Sequence, residues 1–194
     1  MNPTAAMLVI GDEILSGRTR DANMFHLAGR LTKMGIILKE VRVVSDEASE
    51  IVHAVNELRI KFEHVFTSGG IGPTHDDITA DNVAAAFGVS IGPRQDAIDI
   101  LATNYENGHT ELNAARMRMT RIPDGAELID NPISKAPGFT IGNVHVMAGV
   151  PKIFEVMLDN LLTKLTGGDP IVSESVRLNV PEGDVAKPLK LIAH

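Results

Sequence analysis

The sequence contains no cysteine among its 194 residues. Without cysteine the chain cannot form a disulfide framework, a thiolate zinc site or a thiol nucleophile. Any catalytic chemistry must therefore use oxygen and nitrogen groups. The absence of cysteine also agrees with a reducing compartment.

The chain also lacks a long apolar run and a basic segment near its start. Residues 5–10 are apolar, but this run is far too short for a signal peptide or a membrane helix. No lysine or arginine precedes it. We therefore expect a cytoplasmic protein with no membrane partner.

Positive charge is scarce, because the formal net charge is −7 and the lysines and arginines are scattered. Proteins that bind nucleic-acid phosphates usually carry a basic patch, so we expect no nucleic-acid partner. The one dense basic stretch, residues 116–121, holds three arginines and no aromatic side chain on which a base could stack. We interpret this stretch as a solvated helix face in preference to a contact for a phosphorylated ligand.

The length and the apolar fraction of 44% fit one domain of ordinary size. We assign residues 1–168 to this domain and residues 169–194 to the start of a small C-terminal extension. Within the extension, residues 172–180 are predicted as a strand and residues 183–192 as the beginning of a helix. An incomplete extra unit and a terminal edge strand with a short tail fit this pattern equally well.

Short apolar runs alternate with stretches of helical periodicity along the domain. This alternation predicts an α/β fold with a mainly parallel sheet covered by helices on both faces. The predicted strands are residues 5–10, 36–44, 64–68, 127–129 and 144–147, and the predicted helices are residues 22–34, 50–62, 78–87, 93–107, 110–119 and 151–165.

A glycine turn, residues 68–74 with the sequence SGGIGPT, follows the third predicted strand. It does not match the Walker A motif or the dinucleotide-binding fingerprint, and no nucleophile elbow or zinc-protease motif occurs in the chain. A tight turn with positive φ explains two of the glycines Gly69, Gly70 and Gly72. Three glycines followed by Pro73 favour a backbone cleared for the approach of a ligand such as a phosphate.

Six carboxylates flank the turns that follow the first and third strands, where parallel sheets bind ligands. Helix capping would account for one or two of them. A phosphate on the glycine turn would be repelled by the rest unless a divalent cation such as magnesium lay between them. This combination predicts attack at a pyrophosphate or phosphoryl centre. The six acids are Asp12, Glu13, Asp21, Asp76, Asp77 and Asp81.

The histidines give a weaker signal. His75 lies in the turn and could touch a phosphate or transfer a proton, but a single exposed histidine is more often incidental. The other histidines form no ligand-spaced cluster.

Several motifs together resemble the molybdopterin-binding, MoaB/Mog-like family. The resemblance is greatest to the branch that contains the N-terminal domain of CinA and the related domain of eukaryotic FAD synthases. It spans about residues 5–165. The motifs are GDEILSG at 11–17, D-x-N at 21–23, GGIGPTHDDIT at 69–79, NP at 131–132, APGF at 136–139 and GVP at 149–151.

The resemblance implies a three-layer α/β/α fold with its ligand site at the carboxyl ends of the strands. Asp77 and Asp21 match two acids that serve the cofactor-synthesis members. Where those members usually carry arginine, this chain has Asp76, which shifts the site from clamping phosphate toward binding metal. Ala148 replaces a proline that is frequent in the family, a change expected to affect a strand end more than the chemistry.

Two functions follow from the resemblance. The first is metal-dependent hydrolysis of nucleotide pyrophosphates such as ADP-ribose or FAD, with magnesium, manganese or cobalt as the cation and potassium as a further candidate. The second is binding or adenylylation of molybdopterin. Either function implies a small-molecule nucleotide or pterin ligand and a homo-oligomer, a dimer or trimer.

The expected site residues divide into three groups. Asp76 and Asp77 are the expected catalytic residues, and together with Asp12 and Glu13 they are the expected metal ligands. The expected ligand-binding residues are Gly11, Asp21, Asn23, Gly69, Gly70, Gly72, Pro73, Thr74, Gly149 and Pro151.

Overall fold

The structure is a computed structural model that describes residues 1–170, 172, 174–175 and 177–192. Strands and helices alternate through most of this range. The strands are β1 (Thr4–Ile10), β2 (Ile37–Val44), β3 (His64–Ser68), β4 (Ile91–Pro93), β5 (Arg121–Pro123), β6 (Glu127–Ile129), β7 (Gly138–Ile141) and β8 (Val144–Met147). The α-helices are α1 (Asp12–Leu15), α2 (Asn23–Lys33), α3 (Ala48–Lys61), α4 (Thr79–Phe87), α5 (Gln95–Ala102), α6 (Ala114–Arg118), α7 (Pro151–Leu162) and α8 (Glu182–Ile192), with a 3-10 helix at Gly108–Glu111.

Six strands form the central sheet in the order β2-β1-β3-β8-β7-β6. The neighbours β2, β1, β3 and β8 run parallel, whereas β7 is antiparallel to both β8 and β6. The strands β4 and β5 form a separate antiparallel ribbon. The mainly parallel sheet predicted from the sequence is therefore confirmed, with one antiparallel strand near its edge.

Strand β1 shows how the sheet separates two apolar cores. Ala6, Leu8 and Ile10 pack in the core formed with α3 and α4. The alternate residues of β1 pack in the other core, formed with α2 and α7. Since consecutive side chains of a strand point to opposite faces, helices cover both faces and the three-layer α/β/α fold is confirmed.

The region between α4 and β6 departs most from the sequence prediction. Pro93 does not begin a helix, because it ends β4 and lies opposite Arg121 of β5. A proline is tolerated in such a short ribbon, since few ladder hydrogen bonds depend on it. The helix predicted over residues 110–119 is divided into a 3-10 turn and α6, because the Asn113 side chain accepts the backbone N–H of Arg116 at 3.0 Å and starts a new helix there.

The C-terminal segment agrees in part with the prediction. The predicted helix over residues 183–192 is confirmed as α8. The described residues of the predicted strand over 172–180 adopt no strand, and two residues of that range, 173 and 176, lie outside the described residues. Within the described part of the chain, no helix combines the length and the apolar character that crossing a bilayer requires.

Candidate functional site

Acidic residues follow three neighbouring strands of the sheet. Asp12 and Glu13 come after β1, Asp46 comes after β2, and Asp76 follows the glycine turn after β3. Because β2, β1 and β3 are adjacent and parallel, their carboxyl ends meet at one edge. The sheet therefore collects these acids from three separate parts of the chain.

Asp46 is the centre of this cluster, and the sequence analysis did not select it. Its Oδ2 atom accepts the backbone N–H of Asp12 at 2.9 Å. Burial raises the pKa of the Asp46 carboxyl, and the negative charges of Asp12, Glu13 and Asp76 raise it further. The rule that selected Asp12, an acid just after a buried strand, would also have found Asp46. We call Asp12, Glu13, Asp46 and Asp76 the acidic cluster.

Gly11 allows the acidic cluster to approach the backbone. One carboxylate oxygen of Glu13 lies 2.6 Å from the position that a Cβ atom at residue 11 would take. The N–H of Gly11 donates to the carbonyl of Val44 at 3.2 Å, which ties the end of β1 to the end of β2. A side chain at residue 11 would displace the Glu13 carboxylate.

The glycine turn is shaped by contacts within the protein. Gly69 and Gly70 have φ values of 109° and 67°, in the left-handed region that favours glycine. A Cβ atom at Gly69 would collide with the Ile10 carbonyl oxygen, and one at Gly70 would collide with the Thr79 hydroxyl. These two glycines therefore have a structural reason to be present. Their role in ligand binding stays a prediction.

The glycine turn also contains backbone N–H groups that could donate hydrogen bonds to a ligand. The N–H groups of Gly70, Ile71 and Gly72 donate no hydrogen bond to any residue that the structure describes. Unpaired N–H groups at a strand-to-helix turn suit an anionic ligand. The oxygens of Asp77 lie over Gly72, the nearer one 2.7 Å from the position of a Cβ atom there. A side chain at residue 72 would push this carboxylate away.

Asp77 closes the turn, and it does not cap the following helix. Its Oδ2 atom accepts the Thr74 N–H at 2.8 Å and the Thr74 hydroxyl at 2.6 Å. The helix α4 begins two residues later, with no side-chain cap at Ile78. The Asp77 carboxylate is thus fixed beside the glycines, with its other oxygen, Oδ1, left out of these two bonds.

Asp76, Pro73 and His75 are exposed around this turn. The neighbouring Thr74 hydroxyl and the backbone N–H of Asp76 hold the pKa of the Asp76 carboxyl below its ordinary value. Asp76 is therefore ionised at neutral pH. Its carboxylate contributes negative charge to the acidic cluster and does not cap α4.

A cleft on one side of the glycine turn, which we call the Asn23 cleft, brings together most of the other predicted ligand residues. The buried Asn23 side chain donates to Ser68 Oγ at 2.7 Å and to the Gly149 carbonyl at 2.8 Å. Its Oδ1 atom is buried and accepts no hydrogen bond from the described residues. Asp21 lies just before α2, and its Oδ1 atom accepts the Met24 N–H at 2.8 Å. The lining also includes Glu13, Gly69 and Pro151.

A second cleft, the arginine cleft, lies on the other side of the turn between Gly72, Asp77 and Arg118. Arg118 Nη2 donates to the backbone carbonyl of Asp77 at 3.2 Å, and Arg118 Nε is buried without a partner among the described residues. Arg121 forms an ion pair with Asp81 at the same cleft. The interpretation of residues 116–121 as a solvated helix face is therefore wrong for Arg118 and Arg121.

Arg116 behaves differently from these two arginines. Its guanidinium lies over the Tyr105 ring at 4.0 Å and donates to the carbonyl of Glu111 at 2.6 Å. It therefore has a local structural role away from the cleft. Sequence spacing alone could not separate the three arginines, because the break between the 3-10 helix and α6 decides where each one points.

The acidic cluster supplies oxygen ligands of the kind that magnesium and manganese prefer. Its uncompensated charges, which raise the pKa of Asp46, are what a cation would neutralise. Among the residues that the structure describes, no group of three or more His, Asp or Glu side chains is gathered around one ion position. Binding of a cation would therefore require the exposed side chains to turn inward.

The fold and the site define an α/β protein of the class that binds its ligand at the carboxyl ends of parallel strands, beside a glycine turn. The chain belongs to the family described as a probable molybdopterin binding domain, whose model matches residues 6–167. This match confirms the resemblance inferred from the motifs.

Individual curated proteins are also similar to the chain. A protein of Saccharolobus islandicus is 36% identical over 171 residues, which cover 86% of this chain and 65% of that protein. A protein of Pyrococcus horikoshii is 30% identical over 197 residues, which cover 95% of this chain and 77% of the relative. The chain thus spans less than two thirds of the length of the first of these curated relatives.

Solved structures give the same result. A CinA protein from Thermoplasma acidophilum is 32% identical with a TM-score of 0.78, and the match covers 84% of this chain and 97% of that one. MoaB from Thermus thermophilus is 15% identical with a TM-score of 0.55, covering 84% of this chain and 91% of that one. The second likeness is one of fold alone.

Proposed function

We propose that this molybdopterin-binding-like domain is a divalent-metal-dependent hydrolase of nucleotide pyrophosphates of the ADP-ribose or FAD type. The observation that carries the proposal is the position of the acidic cluster beside the unpaired N–H groups of the glycine turn. A site that binds an anion alone would not place four carboxylates there. A site that binds a cation together with a diphosphate needs carboxylates for the cation and N–H donors for the phosphates.

Binding of the diphosphate rests on donors from two elements. The N–H groups of Gly70, Ile71 and Gly72 would contact phosphate oxygens from the turn. The Arg118 guanidinium would approach from the arginine cleft, since its Nε atom has no partner among the described residues. Asp12, Glu13, Asp46 and Asp76 would hold the cation. When bound, such a cation neutralises phosphate charge and lowers the pKa of a coordinated water.

Asp77 is the residue best positioned to handle a proton. Thr74 fixes its Oδ2 atom, which leaves Oδ1 to accept a proton from an attacking water. The water oxygen would bond to one phosphorus, and the bond between that phosphorus and the bridging oxygen would break. ADP-ribose would then give AMP and ribose 5-phosphate, and FAD would give AMP and FMN.

Release of AMP from ADP-ribose and from FAD tests this proposal. The purified protein is incubated with each substrate in the presence of magnesium, manganese or cobalt, and in the presence of a chelator. We expect AMP only when metal is present, and a loss of at least about 100-fold in the Asp77→Ala variant. The Asp159→Ala variant is a matched control, because Asp159 pairs with Arg30 on the surface of α7.

Two results would contradict the proposal: no AMP from the wild-type protein with any of the three metals, or equal rates for the wild type and Asp77→Ala. Equal rates with metal and with the chelator would remove the metal from the proposal. Loss of activity in Asp159→Ala as well would point to a general folding effect.

The family match supports a second function, binding or adenylylation of molybdopterin. The Asn23 cleft lies on the side of the glycine turn opposite the arginine cleft. There the buried amide oxygen of Asn23 would accept a hydrogen bond from a ligand. Calorimetric titration with a pterin and with ADP-ribose separates the two functions. Tight pterin binding without hydrolysis of either nucleotide would favour this alternative.

A further inference from the structure

The arginine cleft continues into a wider cleft, which we call the outer cleft. The two clefts share Asp81, Arg118 and Arg121, so they form one continuous surface. The outer cleft has a volume of about 510 Å³, and binding sites for small molecules measure roughly 300–1,000 Å³. A ligand held at the glycine turn can therefore extend past Arg118 into this space. The other residues that line the outer cleft are Pro93, Ala114 and Met117.

Helix α6 forms one wall of the outer cleft. Ala114, Met117 and Arg118 are spaced i, i+3 and i+4, so they lie on one face of the helix. Arg116 lies outside this row and packs over an aromatic ring elsewhere. The face is apolar at Ala114 and Met117, and it ends at Arg118, which contacts the glycine turn. One helix face therefore joins an apolar surface to a cation beside the proposed phosphate position.

The ribbon of β4 and β5 forms the other wall, with Pro93 opposite Arg121. Two hydrogen bonds connect this ribbon to α6. The carbonyl of Thr120 accepts the Arg94 N–H at 3.0 Å, and the Thr120 hydroxyl donates to the Met117 carbonyl at 2.8 Å. The two walls are therefore held in place before a ligand enters, which reduces the ordering that binding would cost.

An ion pair between Asp81 and Arg121 borders both clefts. The Oδ1 atom of Asp81 accepts a hydrogen bond from Arg121, whereas its Oδ2 atom accepts none from the part of the chain that the structure describes. The Arg121 guanidinium compensates the carboxylate charge, so Asp81 repels a nearby phosphate less than an unpaired acid would. The Oδ2 atom is thus an acceptor that a neutral donor can approach.

A nucleoside attached to a diphosphate matches this set of groups. Pro93 and Met117 provide apolar surface for the flat faces of a base, and the guanidinium of Arg121 can also stack on an aromatic ring. The hydroxyl groups of a ribose are donors that Asp81 Oδ2 can accept. An inorganic anion would need only the arginines, and it would leave the apolar walls and Asp81 unused.

We propose that the outer cleft binds the adenosine half of the substrate, with the ribose hydroxyls donating to Asp81 and the base lying between Met117 and Pro93. ADP-ribose and FAD share this half, so one cleft would accept both. The inference rests on the proposed function for the position of the diphosphate at the glycine turn. It assigns Asp81, Arg121 and Met117 to substrate specificity and leaves the chemistry to the residues beside the turn.

Removal of the ribose hydroxyls tests the role of Asp81. Calorimetric titration with magnesium compares ADP with 2′,3′-dideoxy-ADP on the wild type and on Asp81→Ala. We expect the wild type to bind ADP about tenfold or more tightly than the dideoxy analogue, and Asp81→Ala to bind both with the same affinity. Asp159→Ala removes another acid that is paired with an arginine, and it should keep the wild-type preference.

Comparison with inorganic pyrophosphate tests the position of the base. In the presence of magnesium, Met117→Ala should weaken the binding of ADP about fivefold or more, because apolar contact with the base is lost. The same variant should bind pyrophosphate as the wild type does, because pyrophosphate has no base. Unchanged pyrophosphate binding also shows that the variant is folded.

Three results would overturn the inference: equal affinity of the wild type for ADP and the dideoxy analogue, an undiminished preference for ADP in Asp81→Ala, or equal weakening of ADP and pyrophosphate in Met117→Ala. The first result needs no variant, so misfolding cannot explain it. These titrations measure binding, whereas AMP release measures hydrolysis. Absence of AMP together with the expected titrations would contradict the hydrolase and support the outer cleft, and AMP release without them would do the reverse.

Discussion

Asn23 joins three elements of the site through one buried side chain. It stands at the start of α2 and donates to Ser68 at the end of β3 and to Gly149 after β8. Replacing it with leucine would leave Ser68 and the Gly149 carbonyl without these donors. We expect Asn23→Leu to lower the free energy of unfolding by about 1–3 kcal/mol in urea denaturation.

The exposed Asn104 provides the control for this substitution, because Asn104→Leu leaves no buried partner unpaired. Its free energy of unfolding should stay within about 0.5 kcal/mol of the wild type. Equal effects of the two substitutions would show that the Asn23 hydrogen bonds contribute nothing.

His145 lies at the end of the sheet opposite the candidate site, and it makes the free energy of unfolding depend on pH. Burial, with a smaller contribution from the charge of His64, lowers the pKa of His145 to about 3. Its ring nitrogens contact His64 at 3.2 Å and Thr140 at 3.0 Å, partners that suit a neutral imidazole. In the unfolded chain its pKa is about 6.5.

Between these two pKa values the unfolded chain binds a proton at His145 that the folded chain does not. The free energy of unfolding should therefore fall as the pH is lowered from about 6.5 toward 3, by up to about 1.4 kcal/mol per pH unit from this residue. Urea denaturation at several pH values should show a shallower dependence in His145→Gln than in the wild type. His53→Gln, on the exposed face of α3, should keep the wild-type slope.

Arg118 and Arg116 are two residues apart on one helix but face different surroundings. Arg118 adjoins the Asp77 carbonyl, whereas Arg116 lies over Tyr105. A charged hydrogen bond to a phosphate contributes about 1.5–3 kcal/mol, so Arg118→Ala should lower kcat/KM for ADP-ribose by about 10- to 100-fold. Arg116→Ala should leave kcat/KM nearly unchanged, and a similar loss in both variants would contradict the role of the arginine cleft.

At the scale of the element, the glycine turn is held by the backbone it contacts. Gly70 has a left-handed φ, and a Cβ atom added there would collide with the Thr79 hydroxyl. We expect Gly70→Ala to lower the free energy of unfolding by more than about 1 kcal/mol, through strain and the displaced hydroxyl. Thermal denaturation measures this effect.

Gly29 is the matched control for Gly70, since it lies within α2 with no atom near the position of a Cβ. Gly29→Ala should raise the free energy of unfolding by about 0.5–1 kcal/mol, because alanine favours the helix. The two glycine substitutions should therefore have opposite signs. The same sign for both would contradict the geometry of the turn.

The elements that the sequence predicted are those whose signal is local. The strands β3, β6 and β8 and the helix α4 carry apolar runs or helical periodicity and end at glycine or polar residues. The strands β4, β5 and β7 were missed, because each contains glycine or proline, residues that disfavour a strand, and is stabilised by a partner elsewhere in the chain. Pro93 illustrates the difficulty, since proline favours a helix start and also tolerates a short edge.

Part of the candidate site was also expected from the sequence, and part was missed. Asp12, Glu13 and Asp76 were expected at one edge from the βα order, and their charges do converge on Asp46. Asp46 was missed because the turn after β2 carries no glycine to draw attention to it. The position of Arg118 depends on a long-range contact with the Asp77 carbonyl, which no local pattern encodes.

At the scale of the whole molecule, topology explains why the acids meet. The chain places β2 and β3 on either side of β1, so turns separated by about thirty residues in sequence become neighbours. The net charge of −7 adds to the negative potential at this edge. Such an edge attracts cations, and a diphosphate would bind there with a cation as its partner.

Titration of Mn²⁺ with and without a non-hydrolysable methylene analogue of ADP-ribose tests most directly whether a cation joins the acidic cluster to the glycine turn. The free ion is followed by electron paramagnetic resonance, and Asp46→Asn is titrated in parallel. We predict that the analogue tightens Mn²⁺ binding by about tenfold or more in the wild type, and that this coupling disappears in Asp46→Asn. Equal Mn²⁺ affinity with and without the analogue would contradict the proposal that a cation joins the acidic cluster to the glycine turn.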